Sequence, residues 1–393
     1  MASVPEPTCL LIADISGYTS YLAGVELDHA QDVLADLIGT VVSALRPTFR
    51  LAKLEGDAAF TSAPAVRLDG TTLLDTIERC YFGFRRRRRD VRQATSCGCD
   101  ACVRIPDLNL KFVVHVGSVL RQRVYGLEEL LGADVIVVHR LLKNSVVEAT
   151  GREAYAYLSQ AAIEASGLEP EQLGLIAHDE TYDVLGTVHG WVLDLERRWQ
   201  EEDARARVRV GPEDSLLGTT YEVDAPPQTV WEFLTTPGRR VQWQAGVTDV
   251  IQDAPGNRRA IGTTNHCMHG QDAIIEEVLD WRPFDYFTLR STIGTPAGPI
   301  KIVGTFELEP TTTGTRVHVR FAKPRSAKDQ ATLDPMRPVF QGMVDAGAAA
   351  IRTLLATEAR ARASEAVAEP AIPAPRADGV LAGLEPLQPV GPA

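Results

Sequence analysis

Two short stretches constrain what this chain can fold into: Leu10-Leu11-Ile12-Ala13-Asp14-Ile15-Ser16-Gly17-Tyr18-Thr19 and Lys53-Leu54-Glu55-Gly56-Asp57. The first is an apolar run that ends in a carboxylate, then a glycine turn, then a helix start. A run bounded in this way reads as a buried central strand. Asp14 then stands at a strand end, where the following turn and helix start can offer backbone N–H groups to an anion. The second stretch puts Gly56 and Asp57 at the tip of a tight turn between two strands. If that hairpin lies beside the first strand, two carboxylates converge above a phosphate-sized hollow, the usual way of holding Mg²⁺ against a nucleotide. Taken singly, Asp14 also reads as a helix cap and Asp57 as a turn residue.

Periodicity extends this frame. Val33, Leu34, Leu37, Ile38, Val41, Val42 and Leu45 recur at helical spacing, with Asp28 and Gln31 as a cap and Pro47 as the stop. A second helical stripe carries Leu73, Leu74, Ile77, Cys80, Tyr81 and Phe84. Leu108, Leu110, Phe112, Val114 and Val116 alternate as a strand. The order is β-α-β-β-α-β, a ferredoxin-like core. A strand over Val119 to Tyr125, a helix over Gly132 to Val147 and a strand pair ending near Glu196 complete the first domain.

These residues resemble the catalytic domain of class III adenylyl and guanylyl cyclases. The family carries an F-x-D-I-x-G-F-T-like opening, a K-x-x-G-D hairpin, an I-H-T-G-like strand and a later N-x-x-x-R helix. Here they stand as Ala13 to Thr19, Lys53 to Asp57, Val114-His115-Val116-Gly117, and Ile136 to Arg140. The resemblance implies a Mg²⁺ or Mn²⁺ site at Asp14 and Asp57, with the Ile15 carbonyl as a further ligand. It implies that Gly17 and Thr19 border the triphosphate, that Lys53 and Glu129 face adenine, so ATP rather than GTP, and that Arg140 stabilises charge on the transferring phosphate. Sites of this family form between two such domains, so a homodimer is implied. Ile136 stands where the family has a ribose-holding asparagine, and Val184 to Gly190 lacks the family's phosphate-binding lysine. Both departures weaken turnover and leave nucleotide binding open.

Residues 197–214 are charged and lack an apolar stripe, as a linker or a solvated helix does. A second domain follows over 215–360. A strand at Leu216 to Val223 leads to Pro226-Pro227 and a helix with Val230, Trp231, Phe233 and Leu234. Six more strands follow near 247–252, 262–269, 274–281, 286–291, 300–309 and 315–321. A long helix from about Asp334 then buries Val339, Phe340, Met343, Val344, Gly347, Ile351 and Leu354. Strand, short helices, antiparallel sheet and long C-terminal helix resemble the START-like helix-grip superfamily, which includes polyketide cyclases. Val223-x-Ala225-Pro226-x-x-x-Val230-Trp231 matches its common opening. The resemblance implies a cavity for a small hydrophobic ligand, with Trp231, Trp243, His266, His269 and Trp281 as candidate lining; plain core is the alternative for the aromatics. Strand alternation sends His266 and His269 to opposite faces. The Ala/Pro/Glu-rich stretch 361–393 reads as disordered.

Cys97, Cys99 and Cys102 form a C-x-C-x-x-C loop that can supply most of a tetrahedral Zn²⁺ shell; reduced thiols are the alternative. Cys80 reads as core. The run Arg85 to Arg89 reads as a solvated face pairing with local acids. With 52 acidic and 40 basic residues the chain carries −12, which argues against general nucleic-acid binding. No apolar run reaches membrane-spanning length, and the N-terminus lacks a signal-peptide pattern, so a cytoplasmic protein is expected.

The fold expected is therefore α+β: a ferredoxin-like nucleotidyl cyclase core over residues 1–196, then a helix-grip domain. The function expected is an adenylyl cyclase-like signalling protein that binds Mg-ATP and is coupled to a hydrophobic ligand. The alternatives are a degenerate nucleotide-binding or assembly module, and a polyketide cyclase or aromatase activity in the second domain.

Overall fold

Leu10 to Ile15 are buried without exception apart from Asp14, and this run is an interior strand of the first sheet. The computed structural model describes residues 4–25, 27–94, 100–125, 127–183, 185–270, 272–295, 298–324 and 326–368. In chain order the first half runs β1 (Glu6–Ser16), α1 (Tyr18–Leu22), α2 (Leu27–Leu45), β2 (Arg50–Glu55), β3 (Ala58–Pro64), α3 (Gly70–Ala94) and α4 (Asp100–Val103). It continues with β4 (Asn109–Val124), β5 (Leu127–Leu131), α5 (Ala133–Leu141), α6 (Val146–Thr150), β6 (Tyr155–Ser159) and α7 (Gln160–Ser166). The short strands β7 (Ile176–Ala177), β8 (Glu180–Tyr182), β9 (Gly186–Val188) and β10 (Gly190–Asp194) lead into α8 (Leu195–Ala204).

The main sheet has the order β2-β3-β1-β4-β6-β10-β7, with β5 paired to the far end of β4. Its pairs are antiparallel except β4 with β6. Alternation along β1 divides the core. Cys9, Leu11, Ala13 and Ile15 pack under α2 and α3, while Leu10 and Ile12 join Phe60, Val113, Val138 and Leu141 beneath α5. Asp14 shares the parity of Leu10 and Ile12 and so belongs to the α5 side.

Two expected elements differ. The strands ending at Val116 and starting at Val119 are one strand, β4, which passes through Gly117 without a break. The single helix expected over 132–147 is two, α5 and α6. The Asn144 amide donates to the Leu141 carbonyl at 2.6 Å, and its oxygen accepts from Val146 N–H at 3.1 Å, so this side chain closes one helix and opens the next.

The second half begins after α8. It contains β11 (Ser215–Val223), α9 (Pro227–Thr235), α10 (Pro237–Trp243), β12 (Asp249–Asp253), β13 (Thr264–His269), β14 (Asp272–Arg282), β15 (Tyr286–Ile293), β16 (Ile300–Pro310) and β17 (Thr315–Ala322). Helices α11 (Ala327–Leu333) and α12 (Arg337–Ala368) end it. The sheet is antiparallel throughout in the order β11-β17-β16-β15-β14-β13-β12, and α12 lies along β11. Helix α12 buries Gly347, Ala348, Ile351 and Leu355, whereas Val339 is 65% exposed, because the buried stripe starts a turn later than its apolar spacing suggests. The helix extends past Ala361 to Ala368, and the remainder of the expected tail lies outside the described residues.

The two halves meet along α3. Arg258 donates through both terminal nitrogens to Glu78 at 2.9 and 2.6 Å and to Asp75 at 3.2 Å. Arg259 pairs with Asp69 at 2.8 Å, and the Trp281 indole donates to Asp75 at 3.1 Å. Arg282 pairs with Glu202 on α8. The arginine run on α3 is absorbed locally: Arg85 reaches Glu196, Arg87 clasps Asp36, and Arg86 lies 5.3 Å over the Trp199 ring. No described helix is long and apolar enough to cross a membrane.

Candidate functional site

Register places the carboxylates. Asp14 lies opposite Ala58 on β3 and opposite Lys111 on β4, and Ile15 N–H reaches the Asp57 carbonyl at 3.4 Å. Gly56 takes φ +68°, which a residue with a side chain adopts only with strain, and so turns the β2–β3 hairpin tightly enough to return Asp57 beside the end of β1. Burial and the nearby Asp14 charge push Asp57 up to about 6, against the pull of its own backbone and of Lys111. Two carboxylates that repel each other in a half-buried site call for a cation.

One cation is already built in. Lys111 Nζ lies 3.2 Å from Asp14 and 3.3 Å from the Leu142 carbonyl at the end of α5. Sequence reading missed Lys111, because long-range strand pairing and not local sequence sets it opposite Asp14. Asp14 and Asp57 offer hard oxygen donors of the kind a divalent ion takes, and the Lys111 ammonium competes for the Asp14 charge. Among the described residues no cluster of three or more His, Cys, Asp or Glu side chains is placed to hold a metal.

Gly17 opens α1 at φ +86°, and a Cβ there would lie 2.9 Å from the Asp107 carbonyl oxygen. Thr19 is exposed in this short helix. Lys53 and Glu129 come together: with Arg50, Arg121 and Glu128 they line one shallow hollow of about 240 Å³. Burial raises the Glu128 carboxyl, but Arg121 and Arg50, at 2.9 and 3.0 Å, hold it below its usual range.

Arg140 projects from α5 into a separate open hollow with Val135, Ile136, His139 and Lys143. Ile136 is 56% exposed, with no polar atom to offer a sugar. Neighbouring His139 accepts or donates at 3.0 Å to Glu55 on the hairpin, tying α5 to the strand that carries Lys53. Beneath α5, His115 bridges Ser159 at 2.8 Å and Asp134 at 3.0 Å; both His115 and Ser159 are buried, so this relay fixes the helix.

In the second half a cavity of about 130 Å³ lies between the sheet and α12. Trp243 is in its wall. Trp231 and Trp281 are not; they pack edge to face at 4.8 Å within an aromatic core that includes Phe287. His266 is exposed, and His269 is half-buried outside the cavity with its Nε2 unpartnered. Trp231 and Trp281 were conspicuous in the sequence but fill the aromatic core, while aliphatics, Tyr221, Trp243, Phe306, Phe321, Phe340 and a buried Arg240–Glu276 pair line the cavity. Cys97 and Cys99 lie outside the described residues, as does the side chain of Cys102. Cys80 is core: burial raises its thiol well above the usual value.

Comparison with known proteins matches residues 34–150 to a family described as protein of unknown function (DUF2652), and residues 217–356 to one described as polyketide cyclase / dehydrase and lipid transport. Over 115 residues the chain is 42% identical to an uncharacterized protein of Mycobacterium tuberculosis, covering 29% of this chain and 52% of that one. The chain thus spans about half the length of the curated relative it matches. Similar solved structures include the guanylyl cyclase Cya2, 14% identical over 49% of this chain and 93% of that one, with a TM-score of 0.37. They also include the adenylyl cyclase CyaB from P. aeruginosa, 13% identical over 49% and 97%, TM-score 0.35. Protein MLL2253 from Mesorhizobium loti is 19% identical over 34% and 95%, TM-score 0.28. The fold is the mixed α+β arrangement expected: a β-α-β-β-α-β core, then an antiparallel sheet with a long C-terminal helix over the residues that match the polyketide cyclase / dehydrase and lipid transport family.

Proposed function

We propose that the N-terminal domain binds a divalent-metal nucleotide, ATP by the residues present, and reports on an apolar ligand held by the C-terminal domain. The observation that carries this reading is the return of Asp57 beside the end of β1, where its carbonyl accepts from Ile15 N–H at 3.4 Å and where burial and the Asp14 charge raise its carboxyl. Asp14, Asp57 and the Ile15 carbonyl would hold Mg²⁺ or Mn²⁺. When bound, that ion supplies neutralisation of the triphosphate and polarisation of a ribose hydroxyl. Lys111 leaves Asp14 for a phosphate oxygen, and Lys53 with Glu129 offers one donor and one acceptor set to the purine edge.

Arg140 is exposed on α5, where a second copy of the chain would meet it in a homodimer. Its charge stabilises the phosphate on the opposing subunit. Cyclisation is slow because Ile136 packs against the sugar without fixing its 3′-oxygen, a positioning effect worth on the order of 10²-fold. This favours a reporting module over an efficient enzyme. The salt cluster at α3 supplies the mechanical link, since Asp75 and Glu78 are gripped by Arg258 of the ligand domain.

The test is an assay of purified full-length protein with ATP and Mn²⁺. Cyclic AMP formation should be about 10²-fold or more below that of a competent cyclase. Fast turnover by the native chain overturns the reporting role.

A further inference from the structure

The cavity of the second domain is apolar except at one end. There Arg240 and Glu276 are each about 5% exposed and face one another. The guanidinium donates to the two Glu276 oxygens at 2.7 and 3.0 Å, and its Nε and Nη2 donate to the Gln244 oxygen at 3.1 and 2.7 Å. Asn265 adds a donor to Glu276 at 3.4 Å and is itself held by Gln252 at 2.7 Å. Burial opposes the charge on Arg240, but Glu276 overrides it and holds the group firmly protonated. The pair is therefore neutral in sum and its strong donors are committed.

Two hydroxyls in the same walls are not. Ser291 stands directly opposite Glu276 in the β14–β15 register, and Tyr221 lines the cavity from β11. Neither hydroxyl makes a hydrogen bond to a described residue. Ile351, Val344 and Met343 of α12, with Leu289 and Ile302 beside Ser291 on the sheet, give an apolar seat.

We propose that this cavity takes a small neutral molecule, about one ring in size, that carries a single hydroxyl or carbonyl, and that it rejects the carboxylate of the same size. The inference rests on the reading that the second domain binds an apolar ligand, and adds its chemical class. Size follows from volume: the cavity of about 130 Å³ compares with apolar cavities of about 150 Å³ that accept benzene. Polarity follows from charge. A carboxylate would share one guanidinium with Glu276, leaving a net negative charge in a dry pocket. A neutral hydroxyl bonds Ser291 or Tyr221 and leaves the ion pair intact.

The experiment titrates full-length protein calorimetrically with ethylbenzene, 4-ethylphenol and 4-ethylbenzoate at pH 7.5. The expected order has 4-ethylphenol tightest, with 4-ethylbenzoate weaker by at least about tenfold. Glu276→Gln frees Arg240 from its carboxylate, so 4-ethylbenzoate should bind this variant at least about tenfold better than the native protein. Ser291→Ala, which leaves the ion pair alone, should weaken 4-ethylphenol and spare ethylbenzene. If ethylbenzene binds but the phenol is no better than the benzoate, the neutral-ligand proposal is overturned and apolar binding stands. If none of the three binds, both fail together.

Discussion

The Trp281 indole of the C-terminal domain donates to the Asp75 carboxylate of the N-terminal domain at 3.1 Å, joining positions 206 residues apart in the chain. Asp75 is fully buried and shares Arg258 with Glu78, which takes both prongs of the guanidinium. Glu78, raised by burial but pulled harder by Arg258, lies below the usual carboxylate range. Asp75, left with the poorer share, is pushed by burial up to about 7.

This asymmetry gives the protein a pH dependence. The folded value of Asp75 lies above its unfolded value near 4, so between about pH 4 and 7 the folded chain binds the extra proton. Its contribution is therefore present at low pH, declines as pH rises through this window, and is gone above about 7. The melting temperature of Asp75→Asn should fall less between pH 5 and 8 than that of the native chain, because the asparagine oxygen still accepts from Trp281. Parallel curves for the two proteins would contradict the assignment.

Removing the shared cation is more severe. Arg258→Ala strands two buried carboxylates at the domain boundary, a change that costs about 3–5 kcal/mol when a buried pair loses one partner. Urea unfolding should show that loss, or a first transition in which the domains separate. A change under about 1 kcal/mol would mean that the interface is not held by this cluster.

Gly117 lets helix α5 sit down. A Cβ there would collide with the Asp134 carboxyl group, whose Oδ2 accepts from Ser118 N–H at 2.8 Å and whose Oδ1 meets His115 at 3.0 Å. Gly117→Ala must therefore lift the start of the helix that carries Ile136 and Arg140. A destabilisation of roughly 1–3 kcal/mol is expected in thermal or chemical unfolding. An unperturbed variant would show that the Asp134 contact is dispensable.

The proposed cyclisation would depend on Ile136 and Arg140 of the same helix. Ile136→Asn should raise cyclic AMP formation from ATP and Mn²⁺, and Arg140→Ala in that background should abolish the gain. A rise that survives Arg140→Ala would remove Arg140 from the chemistry.

The central strand, both helical stripes and most strands of the second sheet were legible because their signals are local: β1 is one apolar run, and β4 alternates with period two. The hairpin that returns Asp57 to Asp14 was legible through Gly56. What was hidden is long-range. Nothing near Lys111 in sequence names Asp14 as its partner, and Arg258 finds Glu78 across 180 residues. The cavity misled in a different way: tryptophan and histidine drew attention, yet packing uses Trp231 and Trp281 as core and lines the cavity with aliphatics, other aromatics such as Trp243 and Phe306, and one ion pair.

The most direct test of the account is an equilibrium titration of the full-length protein with a fluorescent ATP analogue, with and without Mn²⁺. Saturable, Mn²⁺-dependent binding is predicted, weakened at least about tenfold by Asp14→Ala and by Asp57→Ala in chains that melt as the native protein does. Binding that ignores Mn²⁺, or that both variants retain unchanged, would contradict the proposal that the two aspartates form a metal–nucleotide site.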